Sequence, residues 1–513
     1  MAPVTAGRAT KIRTLDELAV ILPELKAAGR KIVHCHGVFD LLHIGHIRHL
    51  DTAKSMGDVL VVTLTRDEHV NKGPHRPAFS ESLRAEALAA LDAVDYVAIN
   101  RWPMSIETIR LLRPDIYVKG SDYKKAEQDI TGGIALEMEA VQSVGGRVCF
   151  TDDAVFSSSN LLNRFLSPWS PDVEQYLANC RTQLSISEIQ GWLDRASKLT
   201  PLVVGESIVD EYLFGEGIGK STKDPVLAIL EETTEAFPGG TLAVANHLAG
   251  LCQEVHLITQ LGDRDRREDF ARAALRPNVH PWFLTKNGAP TIHKRRIVDR
   301  YSGNKLLELY NMNDAVTHGE NAAQLRSALE ERIPKCDLTI VADYGHGMLT
   351  PESIGVMCDQ APFLAVNVQS NAGNRGFNPI SKYRRADYVC LAKHEVAIET
   401  RNRDGQTSDR ISDVARRIDC PRFTVTQGKD GSLYYDRAAG FFESPALATQ
   451  VLDRVGAGDA VLAVTSLLVH LGAPPPIVGF VGNVAGAQLV AELGNRRSLE
   501  RVALERHIVA LLK

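Results

Sequence analysis

The feature that most restricts what this chain can fold into is an alternation of short apolar runs with stretches of helical spacing. KIVHCH, DVLVVTLT, DYVAI, DIYVKG and RVCFTDD, between Lys31 and Asp153, each read as a strand followed by a helix. Strands separated by helices cannot fold back as hairpins, so the pattern predicts a mostly parallel sheet covered on both faces. The alternation decays after Phe165, where SPWSP interrupts it, and resumes at PLVVGESIVDEYL. The second series includes VHLITQLG, LTIVADYG, FLAVNVQ, ADYVCLA and the hairpin-like RFTVTQGKDGSLYY. Two α/β domains are therefore expected, at residues 28–166 and 200–513, with a helical linker over 167–199.

Composition narrows the function classes. With 513 residues the chain has room for two to four domains, and 44% hydrophobic with 24% charged residues is the make-up of a soluble globular protein. A net charge of −5 argues against a basic nucleic-acid surface, so anionic ligands must be held by local cations and backbone amides. The longest apolar stretch, Ala460 to Val469, is too short to span a membrane, and MAPVTAGRATKIR lacks the apolar core of a signal peptide. Eight scattered cysteines without CxxC or Cys/His ligand spacing read as buried free thiols in a reducing cytoplasm, not as a zinc site. The expected partners are small molecules, with neither nucleic acid nor membrane; a homo-oligomer is left open.

The first chemical motif is HGVFDLLHIGHIRHL, His36 to Leu50. It follows a strand and runs into a helix, setting His43 and His46 at a helix N-terminus, where free N–H groups and the positive dipole end suit a triphosphate. Two imidazoles there can donate hydrogen bonds to an α-phosphate as pyrophosphate leaves. Gly37 would let the backbone approach the nucleotide. Five histidines lie close in sequence (His34, His36, His43, His46, His49), but without the acidic or cysteine companions of a zinc site.

The GxFDxxHxGH string, with Phe39 and Asp40, resembles the signature of the cytidylyltransferase-like nucleotidyltransferases. Lys72 and Arg76 in NKGPHRP and Arg84 in SESLRAEAL fall where such enzymes carry phosphate-binding cations. VKGSDY, with Lys119, Asp122 and Tyr123, resembles the KGxDY string of the adenylyltransferase half of bifunctional ADP-heptose synthases. FSSSNLL, with Ser157, Ser158 and Ser159, resembles their late Ser/Thr triplet. The resemblance implies a Rossmann-like nucleotidyltransferase domain. It makes His43, His46 and Lys119 catalytic, and gives Gly37, Phe39, Asp40, Lys72, Arg84 and the three serines to the nucleotide. Arg76 and Asp122 go to the sugar phosphate.

The second motif is DRVGAGDAVLAV, Asp453 to Val464. Gly456, Ala457 and Gly458 lead into a helix whose N–H groups can line a pocket for a transferring phosphoryl group, and Asp459 in the first turn can take a proton from a sugar hydroxyl. The string resembles the DTxGAGD signature of the ribokinase-type (PfkB) carbohydrate kinases and implies a ribokinase-like α/β domain. Asp210 in VVGESIVDEY, Gly239 and Gly240 in FPGGTLAVANHLAGL, and nearby Asn246 resemble its sugar-binding elements. Thr426, Gly428 and Gly431 in TQGKDG resemble its nucleotide-binding turn, and Asn483 joins the expected nucleotide contacts. VADYGHG around Asp343 and TIHKRR around Lys294 resemble the heptose kinase branch, with Lys294 a substrate contact.

Three positions depart from the family pattern. Ala243 stands where GGxxN has its Asn, Ala392 replaces the Asn of NxxE while Glu395 keeps the Glu, and Arg454 replaces the Thr of DTxGAGD. A sugar hydrogen bond and part of the metal's outer shell therefore lack their usual side chains, leaving Glu395 to reach Mg²⁺ through water. Bifunctional ADP-heptose synthases carry the same two modules with the kinase first; here the order is reversed. The expectation is ATP-dependent phosphorylation of a sugar or sugar phosphate of the heptose 7-phosphate type. With it goes nucleotidyl transfer from ATP to a sugar 1-phosphate, both using Mg²⁺. The alternatives are CTP with a polyol or other sugar phosphate, or a nucleotide-sensing scaffold with an inactive kinase half.

Overall fold

Every residue of the run VLVVTLT is buried, as in a strand covered on both faces. The structure, a computed structural model, describes residues 10–70, 77–120, 133–151 and 169–512. The chain divides after Pro168 into two units. The first holds β1 (Ile32–Gly37), β2 (Val59–Thr65), β3 (Tyr96–Asn100), β4 (Ile116–Lys119) and β5 (Arg147–Phe150). They form one parallel sheet in the order β3-β2-β1-β4-β5. The chain reverses direction across the sheet between β1 and β4, and ligands of open α/β sheets bind at the carboxyl ends of such a pair.

In the structure the first unit also takes in residues ahead of 28. Helix Leu15–Ala27 starts at a capping box between Thr14 and Glu17. Its Leu15, Leu18 and Leu22 pack on Ile32, Val59, Val61 and Ala98. Their spacing puts all three on one face of the helix, and without it that side of the sheet would meet water. The span expected as a linker holds two helices. Helices Pro171–Gln183 and Ile186–Ala196 bury Leu177, Cys180, Ile189 and Leu193 in the core of the second unit, with Leu248, Leu251, Leu504 and Ile508.

The second unit contains β6 (Pro201–Lys220), β7 (Leu227–Gly240), β8 (Val255–Arg264), β9 (Val279–Pro290), β10 (Ile292–Asp299) and β11 (Lys305–Asn311). These are followed by β12 (Leu338–Asp343), β13 (Leu364–Val368), β14 (Tyr388–Ala392), β15 (Arg422–Thr426), β16 (Ser432–Asp436) and β17 (Gly440–Ser444). The long β6 serves two sheets. Leu202 to Glu206 pair with β8 and Pro201 to Gly205 with β12, inside a central sheet that runs β9-β8-β6-β12-β13-β14-β15 parallel and ends in antiparallel β16 and β17. Ser207 to Lys220 pair instead with β7, and β10 and β11 extend this smaller sheet on the other side. Gly205 marks the change: its φ is +148°, and a Cβ there would lie 2.0 Å from the Ala342 carbonyl oxygen.

Alternation along the central strands feeds two cores. Val203, Leu257 and Ile340 face one, Val204, Ile258 and Val341 the other, the period-two signature of a sheet covered on both sides. The strand–helix reading of the sequence did not anticipate the smaller sheet. Its strands LAILEETTEAFPGG, IHKRRIVD and KLLELYN are rich in charge, and the last two follow one another with no helix between. All eight cysteines are free, and all but the half-buried Cys149 are buried. No helix among the described residues is long and apolar enough to cross a membrane.

Candidate active sites

In the first unit, His43 caps helix Ile44–Ser55: its backbone is extended and its Nδ1 accepts the Gly45 N–H at 3.1 Å. A ring nitrogen that accepts carries no proton, so the neutral imidazole bears its hydrogen on Nε2. That Nε2 is buried with no hydrogen-bond partner among the described residues. Burial also holds His43 below the usual imidazole pKa, so it is neutral at pH 7. The His46 ring stacks on His43 at 4.0 Å and meets the edge of Phe39 at 5.5 Å. The helix start therefore carries an N–H donor pre-aimed by the fold, at the positive end of the dipole.

Several residues expected to hold the nucleotide have partners within the protein. Phe39 is buried, in a left-handed conformation (φ 49°), and buttresses His46. Gly37 makes room for that ring, since a Cβ there would sit 3.0 Å from it. Asp40 accepts the Ala78 and Phe79 N–H groups at 2.7 and 3.2 Å, fastening the segment after β2. Arg84, 1% exposed, donates to the carbonyls of Phe79, Val38 and Thr65 and pairs with Asp67 at 2.7 Å. It faces the sheet with Ala85 and Leu88, so the helix that carries it turns the guanidinium inward.

Lys119 ends β4 beside β1, at the crossover, and its ammonium pairs with Glu137 at 2.8 Å. Glu137 also accepts the Ser105 hydroxyl. The other histidines are tied to threonines: His34 and His36 share Thr63, and His49 meets Thr151. Among the described residues no cluster of three His, Cys, Asp or Glu could hold a metal. Lys72, Arg76, Asp122, Tyr123, Ser157, Ser158 and Ser159 lie outside the described residues.

The second site forms where the two sheets of the second unit meet. Asp210 on β6 stands in register with Lys294 on β10 and Phe237 on β7. A Cβ at Gly239 would lie 2.2 Å from Asp210 Oδ2, so the first glycine of the GG turn is what gives that carboxylate its place. Gly240, at φ +59°, then caps helix Thr241–Ala249. Arg296 forms ion pairs with Asp210 and, at 2.9 Å, with Glu308. Lys294 is 5% exposed, has the Tyr310 ring 5.3 Å from its ammonium, and is held below the usual lysine pKa by burial.

Gly456, at φ +86°, caps helix Ala457–His470 with no side chain engaged, leaving the first-turn N–H groups open. A Cβ at Gly456 would be 2.0 Å from Asn495 Oδ1. Asp459 sits in the first turn, half-buried with its carboxylate at the shielded end, and accepts the Tyr344 hydroxyl at 2.9 Å. Loss of solvent pushes its pKa up to about 7; the Tyr344 hydrogen bond lowers it, Asp210 and Glu395 raise it further, and Lys294 opposes them. Asp459, Asp210, Lys294 and Glu395 are thus within electrostatic reach of one another. Ala457 and Gly458 complete the helix start, with open space around Gly458.

Thr426 ends β15, and Gly428 (φ +62°) and Gly431 (φ +87°) turn the chain into β16. Asn483 donates to Ser432 Oγ at 2.7 Å and the Gly479 carbonyl at 2.9 Å, bracing β16 against its helix. Glu395 accepts the Ala392 and Ser370 N–H groups at 2.7 and 2.9 Å, so with both oxygens engaged it would meet a metal through water. Asn246, expected near the sugar, has both ends of its amide engaged by backbone. Its amide donates to the Ala274 carbonyl and accepts the Arg276 N–H at 2.8 and 2.9 Å, fastening the end of helix Glu268–Ala274.

Two residues at this site went unassigned in the sequence. Arg296 is two positions from Lys294 on the same strand, hence on the same face, a signal that TIHKRR did contain. Tyr344, beside Asp343, comes to Asp459 only through tertiary folding.

Residues 34–163 match the cytidylyltransferase-like family and residues 201–501 the pfkB family of carbohydrate kinases. The bifunctional protein HldE of Geobacter metallireducens is 41% identical over 167 residues, 32% of each chain. That of Geotalea uraniireducens is 43% identical over 140 residues, 27% of each. The matched stretch thus spans about a third or less of these relatives. Escherichia coli phosphofructokinase-2 in complex with substrates and products superposes with a TM-score of 0.50 at 16% identity, over 62% of this chain and 100% of that one. The same enzyme in complex with potassium gives 0.50 at 15%, with the same coverage. At such identities the likeness shows the fold. Matched over more than half its length by that family, the chain belongs to the pfkB carbohydrate kinases and carries a cytidylyltransferase-like domain at its N-terminus.

Proposed function

We propose that this protein activates a sugar twice. The second unit transfers the γ-phosphoryl group of ATP to a hydroxyl of a sugar or sugar phosphate of the heptose 7-phosphate type. The first unit joins a nucleoside triphosphate, ATP in the first instance, to a sugar 1-phosphate, giving a nucleotide sugar and pyrophosphate. One observation carries the reading: a carboxylate with a pKa near 7, in the open first turn of a glycine-capped helix, facing a second carboxylate and a buried ammonium.

A base poised near neutrality can take a hydroxyl proton at physiological pH. As Asp459 accepts it, the sugar oxygen bonds to the γ-phosphorus, the bond to the β–γ bridging oxygen breaks, and ADP leaves. The free N–H groups after Gly456 receive the charge of the moving phosphoryl group, while Asp210 and Lys294 orient the sugar. Glu395, with both oxygens engaged by backbone N–H groups, would hold Mg²⁺ through water, and the ion would supply charge neutralisation for the phosphates.

At the first site a sugar-phosphate oxygen attacks the α-phosphorus and the bond to pyrophosphate breaks, with no protein nucleophile. The His43 Nε2–H and the His46 ring stand where charge develops at the helix start. The test is a panel. Phosphorylation of heptose 7-phosphate by ATP is followed by phosphorus NMR, and pyrophosphate release by ATP and by CTP is measured with heptose 1-phosphate and with a polyol phosphate. Turnover with CTP and a polyol phosphate alone would replace the heptose reading. Phosphorylation of no sugar would make the second unit a nucleotide-binding scaffold.

A further inference from the structure

The proton acceptor of the kinase site is held by a clamp that the reaction itself does not require. Tyr344 is 2% exposed, and each of its polar groups is fixed. Its N–H donates to Glu206 at 3.0 Å, and the same carboxylate collects the N–H groups of His346 and Met348 at 3.1 and 3.3 Å. Its carbonyl accepts the amides of Asn371 and Asn374 at 3.0 and 2.8 Å. The loop turns at Gly345 (φ +70°) and Gly347 (φ +82°), where a Cβ would lie 2.3 Å from the Asn374 amide and 2.4 Å from the Ala315 carbonyl oxygen. A loop bound at this many points has one conformation, and it sends the Tyr344 hydroxyl to Asp459 Oδ1 at 2.9 Å.

From this geometry, and resting on the reading of Asp459 as the base, we infer that Tyr344 is a positioning residue for phosphoryl transfer. Its hydroxyl fixes Asp459 through Oδ1 and leaves Oδ2 to receive the substrate proton. A carboxylate free to rotate about its Cβ–Cγ bond would offer either oxygen in many directions; one bound at Oδ1 by a rigid phenol offers the other in one. Glu206 acts a step further back, as the anion around which the loop is wound. The groups facing the Asp459 carboxylate are Tyr344 from the loop after β12, Asp210 from β6, Lys294 from β10 and Glu395 from the helix after β14. Of these only Tyr344 donates a hydrogen bond to it. The hydroxyl favours the ionised carboxylate, so it also extends the working range of the base toward lower pH.

The experiment is Tyr344→Phe in the full chain, with Asp459→Asn beside it. Tyr344→Phe keeps the ring and removes one oxygen. The kcat for heptose 7-phosphate should fall roughly 10- to 100-fold with KM nearly unchanged, as for a lost hydrogen bond to a charged group. The acid limb of kcat against pH should move upward by about one unit, because a base without its donor needs higher pH to ionise. A hydroxyl that only fills space leaves that limb in place, and a hydroxyl that binds the acceptor raises KM instead; either result overturns the role. The same titration is readable without sugar, as the infrared carboxylic-acid band that Asp459→Asn removes. Its midpoint should rise in Tyr344→Phe and fall in wild type grown with 3-fluorotyrosine, a stronger donor; an unmoved midpoint in both overturns the inference. If Asp459→Asn still phosphorylates at the wild-type rate, the base itself is misassigned and Tyr344 positions nothing catalytic.

Discussion

Both sites place a titratable side chain at a helix N-terminus and shield it from water, yet shielding moves the two groups in opposite directions. At the first site burial lowers His43, keeping it a neutral donor. At the second it raises Asp459 to about 7, making it a base that can hold and release a proton near neutrality. The caps differ to match. His43 is itself the N-cap, and by accepting the Gly45 N–H it fixes its own tautomer. Gly456 caps with no side chain, so the N–H groups of the next helix stay available for an anion. Desolvation alone thus selects no chemistry; the charge type of the buried group, and what the cap does with the helix N–H groups, decide between donor and acceptor.

The strongest test of the contrast is Asp459→Asn. It should reduce sugar phosphorylation by about 10²–10⁴, the usual worth of a general base, which is roughly 3–5 kcal/mol of barrier. Pyrophosphate release by the first unit should be unaffected. A raised carboxylate pKa weakens the fold progressively as pH climbs from the unfolded value toward 7 and by a constant amount above it. The mutant should therefore melt no lower than wild type at pH 8. A clearly lower melting temperature with unchanged turnover would make Asp459 a helix-end carboxylate only.

His43→Ala should cost pyrophosphate release about 10²–10³, as for one lost preorganised donor, and leave phosphorylation intact. Near-normal release would return His43 to the role of a cap.

Arg84→Ala sharpens the line between site and scaffold in the first unit. Removing a buried guanidinium that joins Val38, Thr65, Asp67 and Phe79 should destabilise that unit by about 2–4 kcal/mol, read as a lower melting temperature. A stable mutant with a raised KM for the nucleotide would restore the phosphate-binding role expected from sequence.

The smallest effect is the dependence on pH. Asp459 loses its basic form as pH falls through about 7, whereas His43 stays neutral to below the ordinary imidazole value of about 6.5 because burial lowers it. Between pH 7 and 6 the ratio of phosphorylation to pyrophosphate release should fall several-fold, up to about tenfold per unit for one titrating group. A ratio that stays constant would mean the two groups do not titrate apart.

The sequence carried the signals with strong local chemistry. The runs of β2 and β12 announce strands of a covered sheet because burial on both faces keeps them largely apolar. HxGH and GAGD mark helix starts because a cap and a first turn are set by neighbours within a few residues. The smaller sheet left no such mark: its strands are charged and held by pairing with a second half of β6 that the sequence does not distinguish from the first.

By itself, then, the sequence determined two α/β units, the order of their motifs and which residues open each helix, since these depend on periodicity and short-range capping. The tertiary structure decided which polar side chains find partners within the protein. Arg84, Asp40 and Asn246 carry the right chemistry for ligands, yet folding delivers carbonyls, N–H groups and carboxylates to them from elsewhere in their units. Arg296 and Tyr344 find their partners the same way, 86 and 115 residues distant. A hydrogen bond in a protein interior is set by where the backbone brings its partner, and no local pattern records that position.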